Sequence, residues 1–177
     1  MKNTKYKRIN TKYKSGFSII ELMVYISVFT FISILVINMF ISVSSAFVEI
    51  KGNHELARSG SALLEKMTRE IKWANTVDAS STLGTAPSTL ILNGTNSSGI
   101  ARSVTFSVIN GKVNFTEDAV DSGSLLTSSV TVDSFLVREI TTTTSSAVKI
   151  EATLTFTRAN SSRTETFYST VALRGGY

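Results

Sequence analysis

The chain has 177 residues, room for one modest domain and an extension, and its formal charge of +5 is unevenly spread. Six Lys/Arg and no acid fall in residues 1–16 (Lys2, Lys5, Lys7, Arg8, Lys12, Lys14), and taking those six from +5 leaves −1 for the rest. From Thr76 onward seven Lys/Arg stand against eight Asp/Glu, which gives no electrostatic footprint for nucleic acid, and the absence of Cys excludes disulfide staples and thiol chemistry.

Behind the basic head, Leu22 to Val48 is a run of 27 residues without a formal charge, rich in Ile, Val, Leu, Phe and Met. About 20 apolar residues suffice to cross the hydrocarbon core as a helix. The run is β-branched, but a lone strand in lipid would leave its backbone groups unpaired, so the expected form is a helix. Lys and Arg beside a span stay on the cytoplasmic side. The expected topology is single-pass, with the amino terminus cytoplasmic and the carboxy-terminal part extracytoplasmic.

Glu21 sits at the front of this run. A carboxylate within a span costs about 2.5–3.5 kcal/mol at the helix centre and less near an end, so its ordinary reading is functional, with a partner to be found. The plain alternative is an acid at the membrane interface, stabilised by the helix N-terminus. The surrounding residues, Lys14-Ser15-Gly16-Phe17-Ser18-Ile19-Ile20-Glu21-Leu22-Met23-Val24, resemble the cleavage and methylation motif of type IV prepilins and type II secretion pseudopilins. The resemblance implies that Gly16 is the last leader residue, cut by a prepilin peptidase that tolerates little more than a hydrogen there. It implies that Phe17 becomes a methylated amino terminus and that Glu21 faces the Phe17 amine of a neighbouring subunit. Cleavage after Gly16 would in any case leave a charged amine at the membrane edge, about one helical turn from Glu21. An axially shifted neighbour would bring the two charges together, each costly alone in a low dielectric.

Two rivals explain less. Ser44-Ser45-Ala46 has the small-x-small form of a signal cleavage site, but the apolar run before it exceeds the 7–15 residues of a signal h-region. A plain single-pass anchor accounts for the span and the basic head but not for Gly16-Phe17 with Glu21.

Beyond the span, Ile50, Ala57, Leu64 and Ile71 repeat at seven residues, with Asn53, Gly60, Met67 and Ala74 on a neighbouring line and Leu56 and Leu63 at the flank. The charged residues lie elsewhere, so this reads as an amphipathic helix packed on a domain. The one helix is expected over 17–75, about 88 Å at 1.5 Å per residue. Gly52 and Gly60 within it mark either weak points or close contacts.

From about Ser80 the composition turns to Ser, Thr, Asn and Gly with β-branched runs. Strands are expected at Thr89–Leu92, at Ser103–Val108 and Lys112–Phe115 around an Asn110-Gly111 hairpin, and at Val130–Ile140 with a slip at Asp133-Ser134. Val148 to Phe156 alternates cleanly; Phe167, Ser169, Val171 and Leu173 alternate too, with the opposite register through Tyr168 left open. Turns are expected at Thr141–Ser146 and Ala159–Ser162. The ending Phe167-Tyr168-Ser169-Thr170-Val171-Ala172-Leu173-Arg174 resembles the last strand of minor pilins and J-type minor pseudopilins, and Lys66-Met67-Thr68-Arg69-Glu70-Ile71 is similar to their helix end.

The expected fold class is therefore α+β: a long N-terminal helix packed on an antiparallel β-sheet, a pilin-like lollipop. Its expected parts are a basic leader (1–16), a transmembrane and assembly helix (17–48), an amphipathic helix (49–75) and an extracellular β domain (76–177). His54 is the one His, and no Cys or Gly-rich phosphate loop accompanies it, so no nucleophile–base pair, cofactor or metal site is assigned. Glu117, Asp118 and Asp121 match no EF-hand spacing and read as a solvated turn. The expected function is that of a non-enzymatic minor pilin or pseudopilin. Its expected partners are the prepilin peptidase, other pilins through the N-terminal helix, an inner-membrane assembly platform and the membrane. The alternative is a membrane-anchored extracellular binding module.

Overall fold

A computed structural model describes residues 16, 18–95, 98–142, 145–158 and 161–173. One helix, α1 (Ile19–Trp73), is followed by eight strands: β1 (Ala74–Val77), β2 (Leu90–Thr95), β3 (Ala101–Ile109), β4 (Lys112–Glu117), β5 (Val120–Ser124), β6 (Val130–Thr141), β7 (Ser146–Arg158) and β8 (Ser161–Ala172). The described residues divide into two compact units between Ser45 and Ala46. Each is taken by itself.

In the first unit the helix is long and apolar enough to cross a membrane, with a mean hydropathy of 2.4 over its most apolar window. Among the described residues none of that stretch is buried. Three of its hydroxyls bond back to the helix itself. Thr30 donates to the carbonyl of Ile26 (2.8 Å), Ser33 to that of Phe29 (2.8 Å) and Ser45 to that of Ile41 (3.0 Å). Back-bonding of this kind satisfies polar side chains where no water is present.

In the second unit the helix buries Gly52, Leu56, Ser59, Gly60, Leu63, Met67, Glu70 and Ile71. Those spacings of three and four define one stripe. It shares Gly60, Met67 and Ile71 with the expected lines but departs from them at the start. Ile50 and Ala57 are exposed, and the line formed by Leu56 and Leu63, read as a flank, is the centre. The reason is visible at the glycines. A Cβ added at Gly52 would stand 2.8 Å from two ring atoms of Phe156, and one at Gly60 would stand 2.4 Å from Cζ of Phe167. Both glycines are seats for phenyl rings, so the helix turns its smallest side chains inward.

The strands form two antiparallel sheets, β1-β2-β3-β4-β5 and β6-β7-β8, rather than the single sheet expected. One apolar core serves both, running from Leu63, Met67 and Ile71 on α1 to Phe106 and Phe115 in the first sheet and Phe135, Ile150 and Phe156 in the second. The sheets are stitched at their ends. Val132 N–H donates to the Gly111 carbonyl (2.9 Å), and Lys112 Nζ donates to the carbonyls of Thr127 (2.5 Å), Ser128 (3.0 Å) and Val130. Burial pushes the Lys112 ammonium below its ordinary value.

The Asn110-Gly111 hairpin is as expected, with positive φ at both residues (52° and 68°), the backbone of a two-residue β-turn matched to strand twist. The slip at Asp133-Ser134 is a bulge between Val132 and Ser134. Along β8 the inward residues are Phe167, Ser169 and Val171, and Tyr168 faces out. Two strands were not foreseen. β1 continues directly from α1, which ends at Trp73 rather than near Asn75, and β5 occupies the stretch behind the acid turn. After β1, Asp78 accepts hydrogen bonds from the Ser80 hydroxyl, the Ser80 amide and Asn93, which hold its carboxyl down at about 2.

Candidate functional site

The front of α1 carries the residues singled out by sequence. Gly16 is exposed, and a Cβ built there would meet nothing within 4 Å. Phe17 and the basic residues 1–15 lie outside the described residues. The first helical hydrogen bond runs from Leu22 N–H to the Ser18 carbonyl (3.1 Å), so Ser18 is the entry residue and Glu21 sits in the first turn. An acid there lies against the positive end of the helix dipole. Tyr25, one turn on, donates its hydroxyl to Glu21 Oε1 (3.1 Å). That bond holds one carboxylate oxygen along the helix. Sequence reasoning missed Tyr25; the i,i+4 spacing from Glu21 was the available signal.

From Leu22 to Val48 no other formal charge follows, and the large apolar side chains are displayed outward all round (Ile26, Phe29, Phe31, Ile34, Met39 and Phe40 among them). Among the described residues nothing apolar covers this surface.

The remaining candidates resolve into structural roles. His54 is exposed on α1. Glu117 receives Arg102 Nε (2.5 Å); Asp118, at φ 47°, accepts the Ser103 amide (2.8 Å); Asp121 accepts the Gly123 amide (2.8 Å). The acid turn is thus held by three separate bonds, none of them shared. Among the described residues no group of three or more His, Cys, Asp or Glu stands together as a metal site would require.

A buried ionic cluster escaped the sequence reading. Glu70, 6% exposed, accepts Lys66 Nζ (2.8 Å) on one oxygen and Arg102 Nη1 (2.7 Å) on the other. Arg102, 16% exposed, spans from Glu70 to Glu117, and Lys66 lies 4.1 Å over the Phe115 ring. Burial pushes the Glu70 carboxyl up, but the bonds from Lys66 and Arg102 outweigh it and hold it below 4.5. The cluster ties the end of α1 to β3 and β4, and both Glu70 oxygens are bonded to cations. Glu70 and Arg102 are 32 residues apart, so no local spacing pointed to the pair.

No protein-family profile matches this chain, and neither does any curated protein or solved structure.

Proposed function

We propose that this chain is a minor pilin or pseudopilin: a non-catalytic subunit that enters a type IV pilus or type II secretion-like filament through its N-terminal helix. The observation that carries the reading is Glu21, alone among uncharged residues in the first turn of a helix whose apolar surface is uncovered. Prepilin peptidase cuts after Gly16. The amine of Phe17 then meets the Glu21 carboxylate of a neighbour, and the outward Ile, Phe and Met side chains pack between copies. An assembly platform in the membrane receives the cut subunit, with the basic head on the cytoplasmic side.

Either charge alone in an apolar bundle is strongly unfavourable, and pairing offsets much of that. The pair therefore fixes the axial offset between subunits, because a slip of one turn leaves both charges unmet. Tyr25 supports this by holding one carboxylate oxygen and orienting the other.

The test reads processing and assembly separately. Mass spectrometry of protein from the native host is expected to find Phe17 as the first residue, and Gly16→Ala to retain residues 1–16. Glu21→Ala is expected to stay in the membrane and fall by about tenfold or more in the sheared polymer fraction, the loss matching a pair worth 1.4 kcal/mol. A different first residue, or incorporation of Glu21→Ala equal to wild type, would refute the reading.

A further inference from the structure

Contacts within the second unit fix the direction of each strand against α1. Glu49 pairs with Arg163 near the start of β8, and Thr68 meets Ser169 near its end (3.4 Å). β8 therefore runs with α1. In the first sheet Glu70 meets Arg102 at the start of β3, while the Gly111 turn at its end touches β6 near its start, where Ser129 bonds Glu55. β3 thus runs against α1, β4 with it and β5 against it. The two outer strands β5 and β8 point in opposite directions.

The sheet edges are treated differently. The outer edge of β6 is covered: Gly84 N–H donates to the Val137 carbonyl (2.8 Å), Ser88 N–H to that of Phe135 (2.8 Å) and Val132 N–H to that of Gly111 (2.9 Å). Among the described residues no strand pairs with the outer edge of β8 or of β5. Beside the end of β8 runs a groove between Thr68 and Lys72 on the helix and Ser169 to Leu173 on the strand. Long bare edges invite strand addition.

We infer that β5 of one copy of this chain pairs antiparallel with the end of β8 on the next copy. The occupant is a second copy because both charge and face match. Asp121 lies in β5 and Asp118 in the turn leading into it, while the end of β8 is flanked by Lys72 and by Lys149, which stands opposite Thr170. Val120 shares a face with Glu117, and Glu117 with buried Val104, so Val120 points to the helix side; Asp121, opposite Thr116, points away. The register with Val120 opposite Val171 and Asp121 opposite Thr170 keeps both faces and brings Asp121 nearest Lys149. It covers Val120, which is 68% exposed, over the groove, and adds Asp121 to the row Arg138–Lys149–Thr170. β1 also runs against β8 but has no acid within the strand, and Asp78 just beyond it is already held by Ser80 and Asn93.

Because β5 and β8 are opposite in direction, the joined copies keep their helices parallel. The contact uses two different edges, so it is heterologous and leaves each copy a free edge for the next. It rests on the filament reading above, which supplies parallel copies at close range, and adds the contact between their β domains.

The chain has no Cys, so single cysteines report the contact cleanly. Residues opposite each other in an antiparallel pair have Cα atoms about 4.5–5.5 Å apart, inside the roughly 4.4–6.8 Å that a disulfide needs. Full-length Asp121→Cys and Thr170→Cys, both at exposed positions, are co-expressed in the host and oxidised on the cell. A linked dimer is expected from the mixture and not from either variant alone, and Lys72→Glu with Lys149→Glu in the Thr170→Cys copy, which sets two acids against the remaining Asp118, is expected to reduce it. Polymer that sediments, with Phe17 at its amino terminus, but yields no mixed dimer overturns this contact and leaves the filament reading standing. A Thr170→Cys variant that links to itself as readily overturns it in favour of β8–β8 pairing. If no polymer sediments, the filament reading fails and this contact with it.

Discussion

Replacing Gly60 with Ala sets two effects of known sign against each other. In a free helix the change stabilises by roughly 1 kcal/mol, because Ala loses less backbone freedom than Gly. Here the added Cβ would lie 2.4 Å from Cζ of Phe167 and 2.5 Å from both its Cε atoms, where ordinary contact begins near 3.4 Å. The three ring atoms are almost equidistant, so the methyl meets the face of the ring rather than its tip. Cζ lies on the χ2 axis, and turning the ring about that bond leaves the clash in place. Relief requires a change of χ1 or a shift of β8, whose backbone is paired with β7 from Ala147↔Ala172 to Arg158↔Ser161. Overpacking of this kind costs about 1–3 kcal/mol, so the net expectation for Gly60→Ala is a loss of about 1 kcal/mol. Phe167→Leu removes Cζ and both Cε atoms, and in that background Gly60→Ala is expected to reverse sign and stabilise by roughly 1 kcal/mol. Denaturant unfolding of the full chain in detergent, followed by the fluorescence of Trp73, reads both variants, since Trp73 is the one Trp and lies at the end of the same helix. Equal stabilisation by Gly60→Ala with and without the Phe167 ring would show that the ring is not seated on the helix backbone.

Two further changes probe the ties between α1 and the sheets. Glu70→Ala leaves Arg102 and Lys66 without their shared acceptor and is expected to cost about 1.5–3 kcal/mol by the same unfolding assay. Because the Glu70 carboxyl is held below 4.5 in the folded chain, its contribution is complete above pH 4.5 and lost as pH falls through the folded value. The gap in stability between wild type and Glu70→Ala should therefore narrow on acidification; a gap that widens below pH 4.5 would contradict the pairing. Lys112→Met removes the ammonium that serves the carbonyls of Thr127, Ser128 and Val130, and is expected to cost about 1–3 kcal/mol and to speed amide exchange in the segment from Leu125 to Val130. Unchanged exchange there would mean the three carbonyls do not depend on Lys112.

The elements with strong local signals were legible. The uncharged run gave the helix, the Asn110-Gly111 pair gave the hairpin, and the alternation from Val148 to Phe156 gave β7. Even the bulge at Asp133-Ser134 showed as a break in period, because one extra residue swaps the two faces of a strand. What escaped depends on distance along the chain. The inward stripe of α1 was misread by one line since Ile50 and Ala57 look more apolar than Gly52 and Ser59. Only the rings of Phe156 and Phe167, more than 100 residues away, make small side chains the better inward choice. Likewise β5 has little β-propensity in Asp121-Ser122-Gly123 and forms because β4 offers it an edge. At the front of α1, Gly16 and Glu21 could be picked out by pattern, while the bond from Tyr25 needed helical geometry.

The seating of two aromatic rings on bare helix backbone has a mechanical result. Phe156 and Phe167 stand on adjacent strands that run along α1, and the pair Glu49–Arg163 lies at the same end. A pull along the helix axis cannot peel these attachments one after another. It shears them together, so the load is shared and the helix resists sliding like a rod notched into its clamp.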